Sequence, residues 1–224
     1  MSLRLALIAS GEGTNVQAIL DSARRQALDA SIRLVICDRP GAGVLERARR
    51  AGIPHALLDH AAYPDRASHD QAMLETIRAS GADTVALAGY MRLLTPMFLN
   101  AFPGRVLNIH PALLPAFPGT RGIAETHAWG VKIAGCTVHF VDEVMDHGAI
   151  IIQAAIPRLD HEPLEALTLR VHELEHRIYP QALQWLAAGR IKLDGRQVRL
   201  TNAELPLASL PGPCLVWPPL EKNF

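Results

Sequence analysis

The sequence predicts an α/β fold in which a mostly parallel sheet is flanked by helices. Three features predict it. Short β-branched runs alternate with helical periodicity through the first half, the pattern of strands joined by crossover helices. A glycine-rich turn, Ser10-Gly11-Glu12-Gly13-Thr14-Asn15, separates the first run from the first periodic segment. In the second half the runs lengthen, and Asp194-Gly195 between two apolar runs marks a hairpin. The sheet therefore gains a mixed C-terminal extension.

Each element has its own signal. Leu3 to Ala9 is an apolar run, read as a strand rather than a signal peptide because it is short and runs into Gly-Glu-Gly-Thr. Val16, Ile19, Leu20 and Ala23 then recur at helical spacing, giving one buried face. Ser31 to Asp38 is the next strand, and a short helix from Val44 to Arg50 stops at Gly52. Ser68 and Gln71 form an S-x-x-Q capping box ahead of a helix carrying Met73, Leu74 and Ile77. Thr84 to Ala88 is a buried strand, Thr95-Pro96 opens a helix, and Arg105 to His110 is a strand stopped by Pro111. Lys132 to Val141 and Ala149 to Ile156 are longer strands, followed by a helix from about Pro163 to Ala188. Residues 201–224 hold five prolines and no periodicity, and are expected to be a tail. The expected organisation is a single catalytic domain over residues 1–200, split into a phosphate-binding half (1–100) and a catalytic half (101–200).

Composition narrows the class. The 224 residues carry 22 basic and 22 acidic side chains, so the formal net charge is zero. A domain that grips a nucleic-acid backbone is basic, so nucleic-acid partners are not expected. Apolar residues make up 49%, the globular range, and no stretch is long enough to span a membrane. Three separated cysteines, Cys37, Cys136 and Cys214, fit a reducing cytoplasm without a disulfide frame.

The glycine-rich turn exposes backbone N–H groups at a helix start, where the helix dipole favours a phosphate. A dinucleotide fingerprint needs a third glycine where Val16 stands, although Asp38 could serve as its ribose-binding acid. A sugar-phosphate site, a dinucleotide site and a ligand-free turn all remain open on this segment alone. His172-Glu173-Leu174-Glu175-His176 matches the H-E-x-x-H zinc motif. The buried stripe of that helix, Leu164, Leu167, Val171, Leu174 and Ile178, places both histidines more than about 120° away, facing water. Glu175 falls at the edge of the buried face, where a carboxylate can reach a ligand. No metal is expected.

Asn108 and His110 lie at i and i+2 near the end of a predicted parallel strand, so they point to the same side. Ligands of open α/β sheets bind beyond such strand ends. Leu107-Asn-Ile-His-Pro-Ala-Leu-Leu-Pro115, with Pro118-Gly119, resembles a signature of the folate-dependent formyltransferases. Val138-His-Phe-Val-Asp-Glu-Val-Met-Asp146, followed by Gly148, resembles their second signature. Ile8 to Asn15, Leu87-Ala-Gly-Tyr-Met-Arg92 and Glu175-His-Arg-Ile-Tyr-Pro180 extend the resemblance from residue 3 to about 200. Five motifs in one order are specific where any single one is weak.

The resemblance implies a Rossmann-like catalytic domain that moves a formyl group from 10-formyltetrahydrofolate, as co-substrate, to the amine of glycinamide ribonucleotide in purine synthesis. It implies Asn108, His110 and Asp146 as the catalytic group. Asn108 and protonated His110 would donate to the oxyanion formed on the formyl carbon, and Asp146 would hold the imidazole and pass a proton. Gly11, Glu12 through its backbone, Gly13, Thr14 and Asn15 would hold the ribose 5-phosphate, with Glu175 accepting from the amine or ribose hydroxyls. The folate side would be Arg66, Met91, Arg92, Leu93, Leu94, Asn108, Val141, Asp142, Glu143 and Asp146.

Thr120 to His127 departs from the family pattern, so its contacts are not carried over. A hydrolase of the same fold is the nearest rival, and such relatives carry an N-terminal regulatory domain, whereas Met1 here starts on the first strand. The relative that formylates an aminoacyl-tRNA carries a basic C-terminal domain unlike residues 201–224. A nucleotide sensor without chemistry is a third reading. Either a monomer or a homodimer is expected.

Overall fold

The computed structural model describes residues 2–202 and 215–224. β1 (Leu3–Ala9) alternates between two cores, which explains why all of it but Arg4 is buried. Leu3, Leu5, Leu7 and Ala9 pack on one face with α1 (Thr14–Arg24), α2 (Gly43–Arg50) and α6 (Leu164–Ala187). Ala6 and Ile8 pack on the other with α3 (Arg66–Ser80) and α4 (Pro96–Ala101). A strand covered on both faces reads as a continuous apolar run, as this one does.

β2 (Ala30–Cys37) and β3 (His55–Leu57) extend the sheet from one side of β1, each parallel to its neighbour. β4 (Thr84–Leu87) and β5 (Val106–His110) extend it from the other, also in parallel. The sheet then turns antiparallel through β6 (Ile133–Phe140) and β7 (Ile150–Pro157), with α5 (Gly122–Ala128) inserted before β6. The order is β3-β2-β1-β4-β5-β6-β7, closed by β10 (Leu215–Trp217) antiparallel to β7. β8 (Ile191–Asp194) and β9 (Gln197–Leu200) form a separate hairpin whose two-residue loop is Gly195-Arg196, one position beyond the Asp-Gly pair that signals it. The α/β fold with a mixed extension agrees with the expectation.

Two expectations are corrected. The helix that Ser68 and Gln71 were to cap begins earlier: the Asp65 carboxylate accepts from Ser68 N at 2.7 Å and is the N-cap of α3. An aspartate three residues ahead of a free N–H does the work of the capping serine. The end of the proline-rich segment is not a loose tail. Val216 and Leu220 are buried, and Glu221 receives the Trp185 indole N–H at 3.1 Å. A three-residue edge strand is too short for periodicity to reveal. Residues 203–214 of that expectation lie outside the described residues.

Candidate functional site

The sheet order reverses direction between β1 and β4, and there a cleft of about 530 Å³ opens beyond the strand ends. Open α/β sheets bind ligands at such a switch point. Ser10, Gly11, Gly89 and Met91 line it, with Arg39 and Thr120 at its sides. The two loops are tied together: Ser10 N donates to the Gly89 carbonyl at 3.0 Å, and Met91 N donates to Ser10 Oγ at 3.1 Å. Gly13 is the N-cap of α1 in the left-handed region, φ 73°. Arg39 is a cation that the sequence reading missed, since it follows β2, a different strand from the one that carries the turn.

An adjoining cavity of about 130 Å³ shares Met91 and Thr120 with the cleft. Its lining brings together most of the expected folate set: Met91, Arg92, Leu93 and Leu94 from one loop, Val141, Asp142 and Asp146 from another, and Asn108 from β5. Met91 is 45% exposed and Leu93 41%, an apolar surface that a flat ligand can cover. Val144 and Met145, from the same loop as Val141 and Asp146, add to it. Glu143 and Arg66 are not in the lining. Arg66 is the exposed first residue of α3, because the helix starts there rather than at Ser68.

Asn108 and His139 face each other across the antiparallel β5–β6 pair. His139 Nδ1 lies 2.7 Å from the Phe140 carbonyl, an acceptor only, so Nδ1 carries the proton and Nε2 accepts from Asn108 Nδ2 at 3.1 Å. Burial pushes the His139 imidazole below its ordinary range, which keeps it neutral and able to accept. His139 sits inside a quoted motif, but its partnership with Asn108 depends on strand register.

Asp146 lies between the two histidines. Its Oδ2 is 3.4 Å from His110 Nδ1 and accepts from Gly119 N at 2.6 Å, while Oδ1 is 3.8 Å from His139 Nε2. Its backbone is left-handed, φ 51°, a costly state for a side-chain-bearing residue. The turn is held by Gly148, where a Cβ would lie 1.7 Å from the Phe140 carbonyl oxygen. His110, 3% exposed, also points Nε2 at the Phe117 carbonyl, 2.8 Å away. Both its nitrogens thus face acceptors, and it does not line the cavity.

Thr137 secures the loop after His110. Its hydroxyl donates to the Ala112 carbonyl at 2.7 Å and accepts from Leu114 N and Gln153 Nε2. On the far side, Tyr179 Oη spans the Leu87 and Leu107 carbonyls, tying α6 to the ends of β4 and β5.

Glu175 is 3% exposed and accepts from Asn15 Nδ2 at 2.8 Å, beneath the glycine-rich turn. Burial raises its carboxyl to about 7 against the pull of that hydrogen bond. Asn15 Oδ1 remains buried without a partner among the described residues. His172 and His176 are half-buried rather than open to water, with ring centroids 6.3 Å apart. Among the described residues they gather no further metal-ligating side chains. Asp38 is fully buried, with His60 Nδ1 at 3.6 Å, so it cannot meet a ribose in the cleft. That removes the acid a dinucleotide site requires.

The Formyl transferase model matches residues 3–183. The chain belongs to the formyl transferase family. Among relatives of this formyl transferase is the phosphoribosylglycinamide formyltransferase of Bacillus subtilis, 44% identical over 82% of this chain and 94% of that protein. The enzyme of the same name from Escherichia coli is 36% identical over 91% of this chain and 96% of its own. The crystal structure of glycinamide ribonucleotide transformylase 1 from Symbiobacterium toebii superposes with a TM-score of 0.87 at 50% identity, covering 88% of this chain and 93% of that one. The resemblance carried by the five ordered motifs agrees with these findings.

In the formyl transferase the departing segment is now placed. Gly119 and Thr120 line the cavity, whereas Arg121 points outward, 3.2 Å from Glu125 on the surface of α5. Glu12 is exposed, its carboxylate over Gly43 at the start of α2, while its backbone faces the turn.

Proposed function

We propose that this formyl transferase moves the formyl group of 10-formyltetrahydrofolate to the amine of glycinamide ribonucleotide. The observation that carries the reading is the junction of two cavities at Met91 and Thr120, one walled by apolar side chains with Asn108 and Asp146, the other lined by Ser10 and Gly11 at the start of the glycine-rich turn. The apolar cavity suits a flat folate, and the cleft suits a phosphorylated sugar whose amine reaches the shared wall. Family membership and the names of its relatives support the same reaction.

The chemistry follows from the donors in that wall. Attack of the amine on the formyl carbon makes an oxyanion. Asn108 spends one amide N–H on His139 and turns the other toward it. Asp146 takes the proton of the attacking amine and passes it to the leaving N10 of the folate. His110 acts on Asp146 rather than on the oxyanion, holding the carboxylate from behind. Gly11 to Asn15 bind the phosphate through backbone N–H groups, and Glu175 steadies Asn15 and meets the sugar or amine. Arg92 and Asp142 bound the folate. Cytoplasmic action fits the buried, free Cys37 and Cys136. No helix among the described residues is long and apolar enough to cross a membrane.

Incubation of the pure protein with 10-formyltetrahydrofolate tests the reading. Loss of the formyl group should require glycinamide ribonucleotide and produce its formyl derivative. Equal deformylation without the amine would establish a hydrolase instead.

A further inference from the structure

The carbonyl groups of Gly11, Glu12 and Gly13 are all taken. Gly11 O accepts from Val44 N at 3.1 Å, Glu12 O from Arg47 Nε at 2.7 Å, and Gly13 O from Gln17 N at 2.9 Å. By contrast, no N–H from Gly11 to Val16 has a protein acceptor among the described residues. Two of the three carbonyls are held by α2, and the approach is close: a Cβ on Gly13 would lie 2.6 Å from Val44 Cγ2. In a trans peptide the C=O and N–H point in opposite directions. A carbonyl drawn onto α2 therefore turns the next N–H away from α2, to the open side of the turn.

We propose that Arg47 is a positioning residue for the anion-binding turn: by holding the Glu12 carbonyl against α2, it keeps the Glu12–Gly13 peptide oriented with its N–H free for phosphate. Val44 does the same for the preceding peptide through its backbone N–H, which a change of side chain leaves in place. Arg47 makes its contact through a side chain, and its guanidinium also lies 3.5 Å from Gln17 Oε1 on α1. Without that contact the peptide can flip and present its carbonyl dipole to the anion. The inference rests on the proposed binding of the phosphorylated amine at this turn.

Arg47→Met keeps the apolar stem and removes the donor, Arg47→Lys restores a donor, and Arg47→Ala serves if the Met variant does not fold. In Arg47→Met the KM for glycinamide ribonucleotide should rise about tenfold, the effect of one charge-assisted hydrogen bond. The constant for competitive inhibition by inorganic phosphate should rise in parallel. kcat and the KM for the folate should stay within about twofold on the same argument, and Arg47→Lys should recover part of the loss. Arg49→Met, on the exposed side of α2 where Arg49 pairs with Glu46, should change none of these. An unchanged KM in the Met or Ala variant, or an equal loss for both substrates, overturns the assignment. A wild-type protein inactive on the amine overturns the reading of the site instead, and calorimetric titration of wild type and variants with inorganic phosphate still decides the role of Arg47.

Discussion

At the scale of single residues, Asp146 carries the most constraint. It tolerates a left-handed backbone, accepts from Gly119 N, and stands 3.4 Å from His110 and 3.8 Å from His139. Proton transfer is the role proposed for a carboxylate held this way. Asp146→Asn should lower kcat by roughly a hundredfold or more, the usual worth of a positioned acid–base group, with folate affinity by equilibrium titration nearly unchanged. An unaltered single-turnover rate would remove Asp146 from the mechanism. Glu175 leads to a pH dependence. Its carboxyl is raised to about 7 in the folded protein from an ordinary 4.5, so between those values the folded state holds a proton that the unfolded chain gives up. Stability from this group is greatest below that window and declines as pH rises through it. Relative to Glu175→Gln, the wild-type Tm should fall by roughly 5 °C between pH 5 and pH 8. Parallel Tm curves for the two proteins would show that the group titrates normally.

Among the elements, the loop from Met91 to Leu94 is the one whose position most affects the site. It leaves β4 tied to Ser10 and enters α4 at Thr95, whose backbone N–H donates to Asp70 Oδ2 of α3 at 2.6 Å in a buried setting. α3 thus sets where the apolar wall of the cavity stands, although it contributes no lining residue. Asp70→Ala leaves that N–H unpaired, a cost of about 1–3 kcal/mol, and should raise the folate KM severalfold in steady-state kinetics while leaving the KM for the amine alone. Equal effects on both would place Asp70 in general stability only. The start of α3 was misread from sequence because Ser68 and Gln71 satisfy a capping pattern that Asp65 supplies in fact. Local patterns compete, and the chain uses the cap with the better acceptor.

Across the whole molecule, the reaction chemistry and the stabilising edge are separated. The sheet carries its cavities at the β1–β4 switch point and beside β5 and β6, whereas β10 closes the far edge beyond β7. Glu221, just past β10, joins the Trp185 indole and the Arg190 guanidinium to the terminal segment. Glu221→Ala should lower Tm by a few degrees, consistent with roughly 1–2 kcal/mol, with kcat and both KM values unchanged. A kinetic defect at full stability would connect the edge to the site. The balanced charge of 22 against 22 takes on a specific meaning at this scale. Two anionic ligands are expected, yet the chain has no basic excess, so the proposed recognition draws on oriented backbone N–H groups and a few placed cations such as Arg39, which lines the cleft.

The sequence by itself determined the α/β class, the glycine-rich turn at a helix start, and the pairing of Asn108 with His110 on one strand face, whereas Glu175, expected at the edge of the buried face of its helix, is buried. Each of those three depends on spacing along one element, and spacing is written in the chain. Only the tertiary structure decided that His139 holds Asn108, that His110 and Asp146 lie 3.4 Å apart, that Asp38 is buried away from the cleft, and that Arg47 reaches the Glu12 carbonyl. Those relations join residues on different elements. Strand register, helix docking and loop closure set them, and no local periodicity encodes the distances between side chains brought together only by packing.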